Sequence, residues 1–193
     1  MNVLGIAGSL RRGSFNRQLL NEAASGAPAG VAIRVCDGLA AIPLFDEDIE
    51  QEASAEGPVA DLRRMVRAAD GLLFSTPEYN QSIPGVLKNI VDWLSRDDSL
   101  VDKPVAVIGA TAGRWGTRLA QSALRHVLYA TESRVMPAPT LFLAEADRAF
   151  DPDGRLIEPQ HTERLREVLT AFAAWIRMNA PSNTVPPPEA AAG

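Results

Sequence analysis

Three observations predict an α/β protein built on a parallel sheet with helices on both faces. Five short apolar runs alternate with five longer segments of helical periodicity. Most of the short runs are nearly continuous in apolar residues, as strands buried on both faces require. The segments after the first, third and fourth runs are crowded with Gly, Pro and hydrogen-bonding side chains. In an open sheet of this class, ligands bind beyond the carboxyl ends of the strands.

The first strand is Val3–Ala7, and Leu19, Leu20, Ala23 and Ala24 give a helix over Asn16–Ala24 its apolar stripe. Val31–Cys36 alternates and suits the second strand, which makes Cys36 a strand residue rather than a nucleophile. A helix over Pro58–Ala69 leads to the third strand, Gly71–Ser75. The following helix, Pro84–Ser95, takes Pro84 in its first turn with Ser82 as its cap. Its buried stripe is Leu87, Ile90, Val91 and Leu94, which leaves Asp92 and Trp93 for a subunit contact. Pro104–Gly109 is the fourth strand and Thr117–Ala130 the next helix, on which Arg118 and Arg125 share a face, open to solvent or to acids of another subunit. Thr140–Leu143 is the fifth strand, and Leu165, Val168, Leu169, Phe172 and Ile176 line one side of a helix over Glu158–Met178. Residues 1–179 therefore make one domain, and the Pro/Ala/Ser-rich segment 180–193, with little to bury, is expected to be disordered.

Composition narrows the function. With 46% hydrophobic and 22% charged residues, the 193-residue chain has the make-up of an ordinary globular domain. A net charge of −5 leaves no basic footprint for nucleic acid or an anionic membrane surface. No apolar run approaches the ~20 residues of a spanning helix. An apolar strand at the very start leaves no room for a signal peptide, so the cytoplasm is the expected compartment. One cysteine excludes an internal disulfide. His126 and His161 have no ligand-spaced neighbours, which argues against a metal site and against a Ser–His–Asp triad; both are expected on helix faces.

The first loop, Gly8-Ser9-Leu10-Arg11-Arg12-Gly13-Ser14-Phe15-Asn16, joins a strand to a helix N-terminus, where unpaired N–H groups and the helix dipole favour an anion. Ser9, Ser14 and Asn16 can donate to phosphate oxygens and Arg11 adds charge; Ser14 equally suits a helix N-cap. No Gly-Lys-Ser/Thr string is present, and Gly109, Gly113 and Gly116 have the wrong spacing for a dinucleotide fingerprint. A terminal phosphate monoester remains. The second loop, Ser75–Gly85, is stiffened by Pro77 and Pro84 and packs Glu78, Tyr79, Asn80, Gln81 and Ser82 together. In the third, Ala110–Thr117, Gly113 and Gly116 permit close approach or positive φ, and Trp115 can cover a ring or anchor a subunit contact. One phosphate grip and two loops bordering a flat hydrogen-bonding ring fit FMN.

The strings Gly8-Ser9-Leu10-Arg11, Ser14-Phe15-Asn16, Thr76-Pro77-Glu78-Tyr79-Asn80, Ser82–Asn89 and Asp92-Trp93 resemble the NADPH-dependent FMN reductase family, in particular its bacterial quinone and chromate reductase flavoproteins. The resemblance runs from about Val3 to Ile176. It implies a flavodoxin-like three-layer fold with a five-stranded parallel sheet, bound FMN, and a homodimer or homotetramer with the flavin near the subunit boundary. It also implies that Ser9, Arg11, Ser14 and Asn16 hold the phosphate, with Phe15 at the helix start. Pro77, Glu78, Tyr79 and Asn80 would line the ribityl chain and ring. The third loop departs from the family, which often has a glycine pair where this chain has Gly116-Thr117 and a Ser where it has Thr111.

The implied reaction is ping-pong: hydride from NADPH or NADH to the flavin, then electrons to a small acceptor such as a quinone, free flavin, azo dye or chromate. No side-chain acid or nucleophile is needed, because the cofactor carries the chemistry. Backbone N–H groups of Thr111, Ala112 and Gly113 are the candidates for stabilising negative charge on the reduced ring. Arg12 and Arg114 are the candidates for a 2′-phosphate. The alternatives are a non-catalytic flavin-binding module that senses redox state, and a mononucleotide enzyme without flavin.

Overall fold

Three strands, Asn2–Ala7 (β1), Gly71–Ser75 (β3) and Pro104–Ala110 (β4), are buried almost end to end, because helices cover both their faces. The computed structural model, which describes residues 1–180, adds the edge strand Ala32–Val35 (β2) and two short pieces, Arg134–Val135 (β5) and Phe142–Leu143 (β6). All pairings are parallel and the order is β2-β1-β3-β4-β5, with β6 also on β4. The chain leaves β1 toward one edge and returns to build the other, so the switch point lies between the carboxyl ends of β1 and β3.

Two cores flank the sheet. On one face, Leu19, Leu20 and Ala23 of the helix Phe15–Ser25 (α1) and Leu165, Val168 and Phe172 of the last helix pack on Val3, Leu73 and Ala106. On the other, Leu62 and Val66 of Pro58–Ala68, Leu87 and Ile90 of Gly85–Leu94, and Leu124 and Leu128 of Arg118–Ala130 pack on Leu4, Phe74 and Val107. In chain order the helices after α1 are Glu50–Ala55 (α2), Pro58–Ala68 (α3), Gly85–Leu94 (α4), Arg118–Ala130 (α5), Ala146–Ala149 (α6) and Pro159–Met178 (α7). The three-layer fold and all five long helices agree with the sequence reading. The expected tail beyond Ala180 lies outside the described residues.

Several expectations need correction. The fifth strand is not the continuous Thr140–Leu143: β5 pairs with Pro104 and Val105, and β6 pairs with Gly109 and Ala110. Pro137 and Pro139 stand between them without an N–H to donate, which interrupts the ladder. Pro84, not Ser82, occupies the cap position of α4; Ser82 is tied instead to Tyr79. Trp93 does not face a partner. It is fully buried, with its indole N–H donating to Pro43 O at 2.8 Å and its ring edge-on to Phe45. Arg125 is also committed internally, donating to Met136 O at 2.6 Å, and its pKa is lowered by burial. Asp92 pairs with Lys88 one turn away. Helix α2 buries no residue and so leaves no periodic signal. Cys36 follows β2 and is buried, and burial first, then the neighbouring Asp37, pushes its thiol up to about 11. His126 and His161 lie on α5 and α7 as expected.

Candidate functional site

The loop after β1 is built from short-range bonds. Ser14 caps α1, its Oγ accepting from Arg17 N at 3.3 Å, while Ser14 N donates to Arg11 O at 3.1 Å. Arg11 N donates to Ser9 Oγ at 3.4 Å. Among the described residues, the N–H groups of Leu10, Arg12, Gly13 and Phe15 find no protein acceptor. Converging donors at the positive end of a helix are what a phosphate monoester requires. The Arg11 guanidinium lies over the Phe15 ring, 4.9 Å from its centroid, and Phe15 stacks on Phe150. Phe15 thus anchors the loop to the core and props Arg11. At the base, Gly8 N donates to Ser75 O, and a Cβ on Gly8 would stand 2.7 Å from Leu87 Cδ1.

Asn16 faces inward. Its Nδ2 donates to Ala110 O at 2.8 Å, and its Oδ1 accepts from Ala110 N and from Ser75 Oγ, both at 2.9 Å. With both Oδ1 lone pairs engaged and the residue almost wholly buried, its amide joins the ends of β3 and β4 to the start of α1. Sequence reasoning assigned it to the phosphate; the geometry gives it the task of bracing the crevice.

The loop after β3 leaves the sheet with Thr76 N bonded to Ile108 O, then turns at Pro77. Tyr79 and Ser82 exchange two backbone hydrogen bonds of 3.0 Å, closing a two-residue hairpin. Its central residues Asn80 and Gln81 have φ of 50° and 63°, the left-handed pair of a tight type I′ turn. Such strain in non-glycine residues concentrates at functional sites. Tyr79 and Asn80 are exposed at the tip. Glu78 points away, its Oε2 accepting from Leu119 N at 2.8 Å and Ala120 N at 3.0 Å in the first turn of α5.

The loop after β4 is fixed by β6 and by the start of α6. Thr111 N donates to Leu143 O, Glu145 N to Gly113 O and Ala146 N to Thr111 O. Gly113 N reaches Thr111 Oγ1 at 3.3 Å. Of the three N–H groups expected to face the ring, only that of Ala112 is without an acceptor among the described residues. Gly116 takes φ of 71° against Phe142, whereas Gly113 does not need a left-handed conformation. Trp115 is 71% exposed beneath the Arg114 guanidinium, and Arg118 lies over Phe142. Arg11, Arg12 and Arg114 form no ion pair among the described residues, leaving the mouth cationic on an acidic protein.

Sequence reasoning missed the residues that bring the loops together. A Cβ at Gly109 would fall 2.2 Å from Thr117 Oγ1 and 2.3 Å from Thr76 O, so only glycine allows this approach. Buried Ser75, Thr117 and Gln121 complete the braces. The only signal for them was polarity inside apolar segments. A hollow of about 780 Å³ lies elsewhere, between the face of β2 and α3, lined by Leu4, Cys36, Leu39, Leu62 and Met65. It holds none of the converging donors of the switch point. Among the described residues no cluster of metal-ligating side chains occurs and no helix is long and apolar enough to cross a membrane.

A 2-1-3-4-5 sheet with an anion cradle at its switch point and two braced loops beside it defines a flavodoxin-like mononucleotide-binding protein. The chain belongs to the NADPH-dependent FMN reductase family, whose sequence model matches residues 1–148. It is 42% identical over 179 residues to an NAD(P)H-dependent FMN reductase of Pseudomonas aeruginosa, covering 92% of this chain and 96% of that protein. It is 37% identical over 180 residues to the quinone reductase of Escherichia coli, again covering 92% and 96%. Among solved structures it resembles FerB, a flavoenzyme NAD(P)H:(acceptor) oxidoreductase from Paracoccus denitrificans, with a TM-score of 0.82, 30% identity, and 92% and 98% of the two chains covered. The expected FMN and NAD(P)H dependence agree with this membership.

Proposed function

We propose that this protein passes electrons from NAD(P)H through bound FMN to small oxidised acceptors, quinones foremost, with donor and acceptor using the same side of the ring in turn. The observation that carries the reading is the set of N–H groups without a protein acceptor in the loop leading into α1, beside Arg11 and at the sheet's switch point. Relatives named as quinone reductases support the choice of acceptor.

The chemistry that a bound FMN supplies is two-electron transfer, by hydride, from NAD(P)H to the acceptor. The chain's residues bind and orient. Ser9, Arg11, Ser14 and the loop N–H groups hold the phosphate, with Phe15 propping Arg11 and Asn16 bracing the crevice behind them. Pro77, Tyr79, Asn80 and the backbone of Glu78 line the ribityl chain and one side of the ring. Thr111, Ala112 and Gly113 would face its pyrimidine edge, where the Ala112 N–H, which has no protein acceptor among the described residues, would stabilise negative charge. Exposed Tyr79, Trp115 and Leu119 surround the mouth with apolar surface that a homodimer or homotetramer would cover. A buried thiol as the single cysteine suits the cytoplasm.

The test is an anaerobic absorbance spectrum of the protein with FMN, before and after NADPH. Bleaching by NADPH and recovery on adding a quinone is the expected result. A bound flavin that stays oxidised would overturn turnover in favour of a non-catalytic module, and failure to retain FMN would overturn the phosphate assignment.

A further inference from the structure

We infer that Glu78 is a positioning residue: it clamps the loop after β3 onto the first turn of α5, and so sets the width of the slot between the loops after β3 and β4. The inference rests on the FMN reading above, in which that slot receives the flavin ring.

Three observations carry it. The start of α5 has no cap of its own. Thr117, at the cap position, makes no capping bond; its Oγ1 accepts from Gln121 Nε2 at 3.0 Å and lies against Gly109. Glu78 supplies the missing cap from 41 residues away, a single carboxylate oxygen taking both the Leu119 and Ala120 N–H groups. These two are also the only hydrogen bonds from residues 78–83 to another element among the described residues. Finally, the hairpin tip holds two non-glycine residues in the left-handed conformation, which persists only where the surroundings over-determine it. The Pro77 turn below and the Glu78 clamp beside it provide that constraint.

The placement also settles an electrostatic conflict. A free carboxylate beside the ring would oppose negative charge arriving on reduction. Held at the positive end of α5, the charge of Glu78 is offset by the helix dipole. Glu78 therefore contributes its backbone to the slot and its side chain to the wall behind it.

The experiment titrates the flavin-stripped full chain with FMN and with riboflavin, which has the ring and ribityl chain but no phosphate. Wild type, Glu78→Ala, Glu78→Gln and Arg11→Ala are compared. If Glu78 sets the slot, Glu78→Ala weakens both ligands by the same factor, on the order of tenfold. Glu78→Gln, whose amide oxygen can accept the same two N–H groups, recovers most of that loss, and Arg11→Ala weakens FMN far more than riboflavin. Hydrogen exchange at the Leu119 and Ala120 amides rises in Glu78→Ala and not in Glu78→Gln. Equal riboflavin affinity in wild type and Glu78→Ala would overturn the clamp, as would a Glu78→Gln variant as impaired as Glu78→Ala. Should Glu78→Ala not fold, a Glu78→Gln chain that binds riboflavin tenfold more weakly than wild type overturns it, and one that binds like wild type supports it. A wild-type chain that binds neither flavin overturns the FMN reading and this inference with it; wild-type binding whose affinity is unchanged in Glu78→Ala overturns this inference alone.

Discussion

In the loop after β1, Ser14 bonds to Arg17 and Arg11, three residues to either side, and Arg11 bonds back to Ser9. In the loops after β3 and β4, the bonds run from Glu78 to Leu119 and Ala120, from Thr111 to Leu143, and from Asn16 to Ala110 across 94 residues. Between Ser9 and Ser14 the first loop is held by local bonds, because a helix N-terminus and a capping serine are local properties. The other two have no local reason to face each other. They depend on braces that exist only once strands β1, β3 and β4 are paired. On the proposed function, phosphate binding is therefore expected to survive substitutions that ring binding does not.

The comparison predicts that the most damaging single changes sit in the braces. Asn16→Ala strands Ala110 N, Ala110 O and the Ser75 hydroxyl in a dry interior and is expected to destabilise the chain by about 3 kcal/mol in urea unfolding. A loss below about 1 kcal/mol would mean that water replaces the amide and that the loops are not braced by it. Gly109→Ala forces its Cβ against a backbone oxygen, Thr76 O, and is expected to lose about 2 kcal/mol and to weaken riboflavin binding together with FMN binding. Ser14→Ala removes one local cap, for about 1 kcal/mol of stability. Its effect on flavin affinity should fall on FMN and spare riboflavin; equal loss of both would erase the distinction between the two regions.

The smallest effect on flavin binding is expected from a control outside the site. The folded Cys36 thiol holds its proton up to about 11, against an ordinary value of 9.0. The unfolded chain therefore binds fewer protons than the folded one within that window, and stability falls as pH rises from 9.0 toward about 11. Cys36→Ala should flatten this part of the stability–pH curve, measured by urea midpoints, without altering the ratio of FMN to riboflavin affinity. An unchanged slope would remove Cys36 as its source.

Much of the fold was legible in the chain. Val3–Ala7, Gly71–Ser75 and Pro104–Gly109 read as buried strands because apolar residues run without alternation, and α7 read as a helix because its stripe repeats from Leu165 to Ile176, over about three turns. The fifth strand did not, since its pairing is decided by which N–H groups Pro137 and Pro139 leave for β4. Trp93 and Arg125 read as outward-facing from their helical positions. Trp93 is buried under the segment around Pro43, and Arg125 is half-buried against the residues before β6. In the site, Ser14 suited both a cap and a phosphate donor, and the structure uses its oxygen as a cap while leaving its hydroxyl hydrogen free. Glu78 and Asn16 read as ligands because polar side chains in a mouth usually are, and their side chains bond to groups 41 and 94 residues along the chain.

By itself, then, the sequence determined the class of the sheet, the strand-to-helix turn proposed to bind an anion, and the absence of metal-spaced ligands. These depend on periodicity, on helix ends and on residue counts, all of which act over a few residues. Only the tertiary structure decided which polar side chains face the crevice and which hold it open. That choice is made by buried donors and acceptors finding partners across paired strands, and no short-range rule of spacing or propensity specifies such a partner.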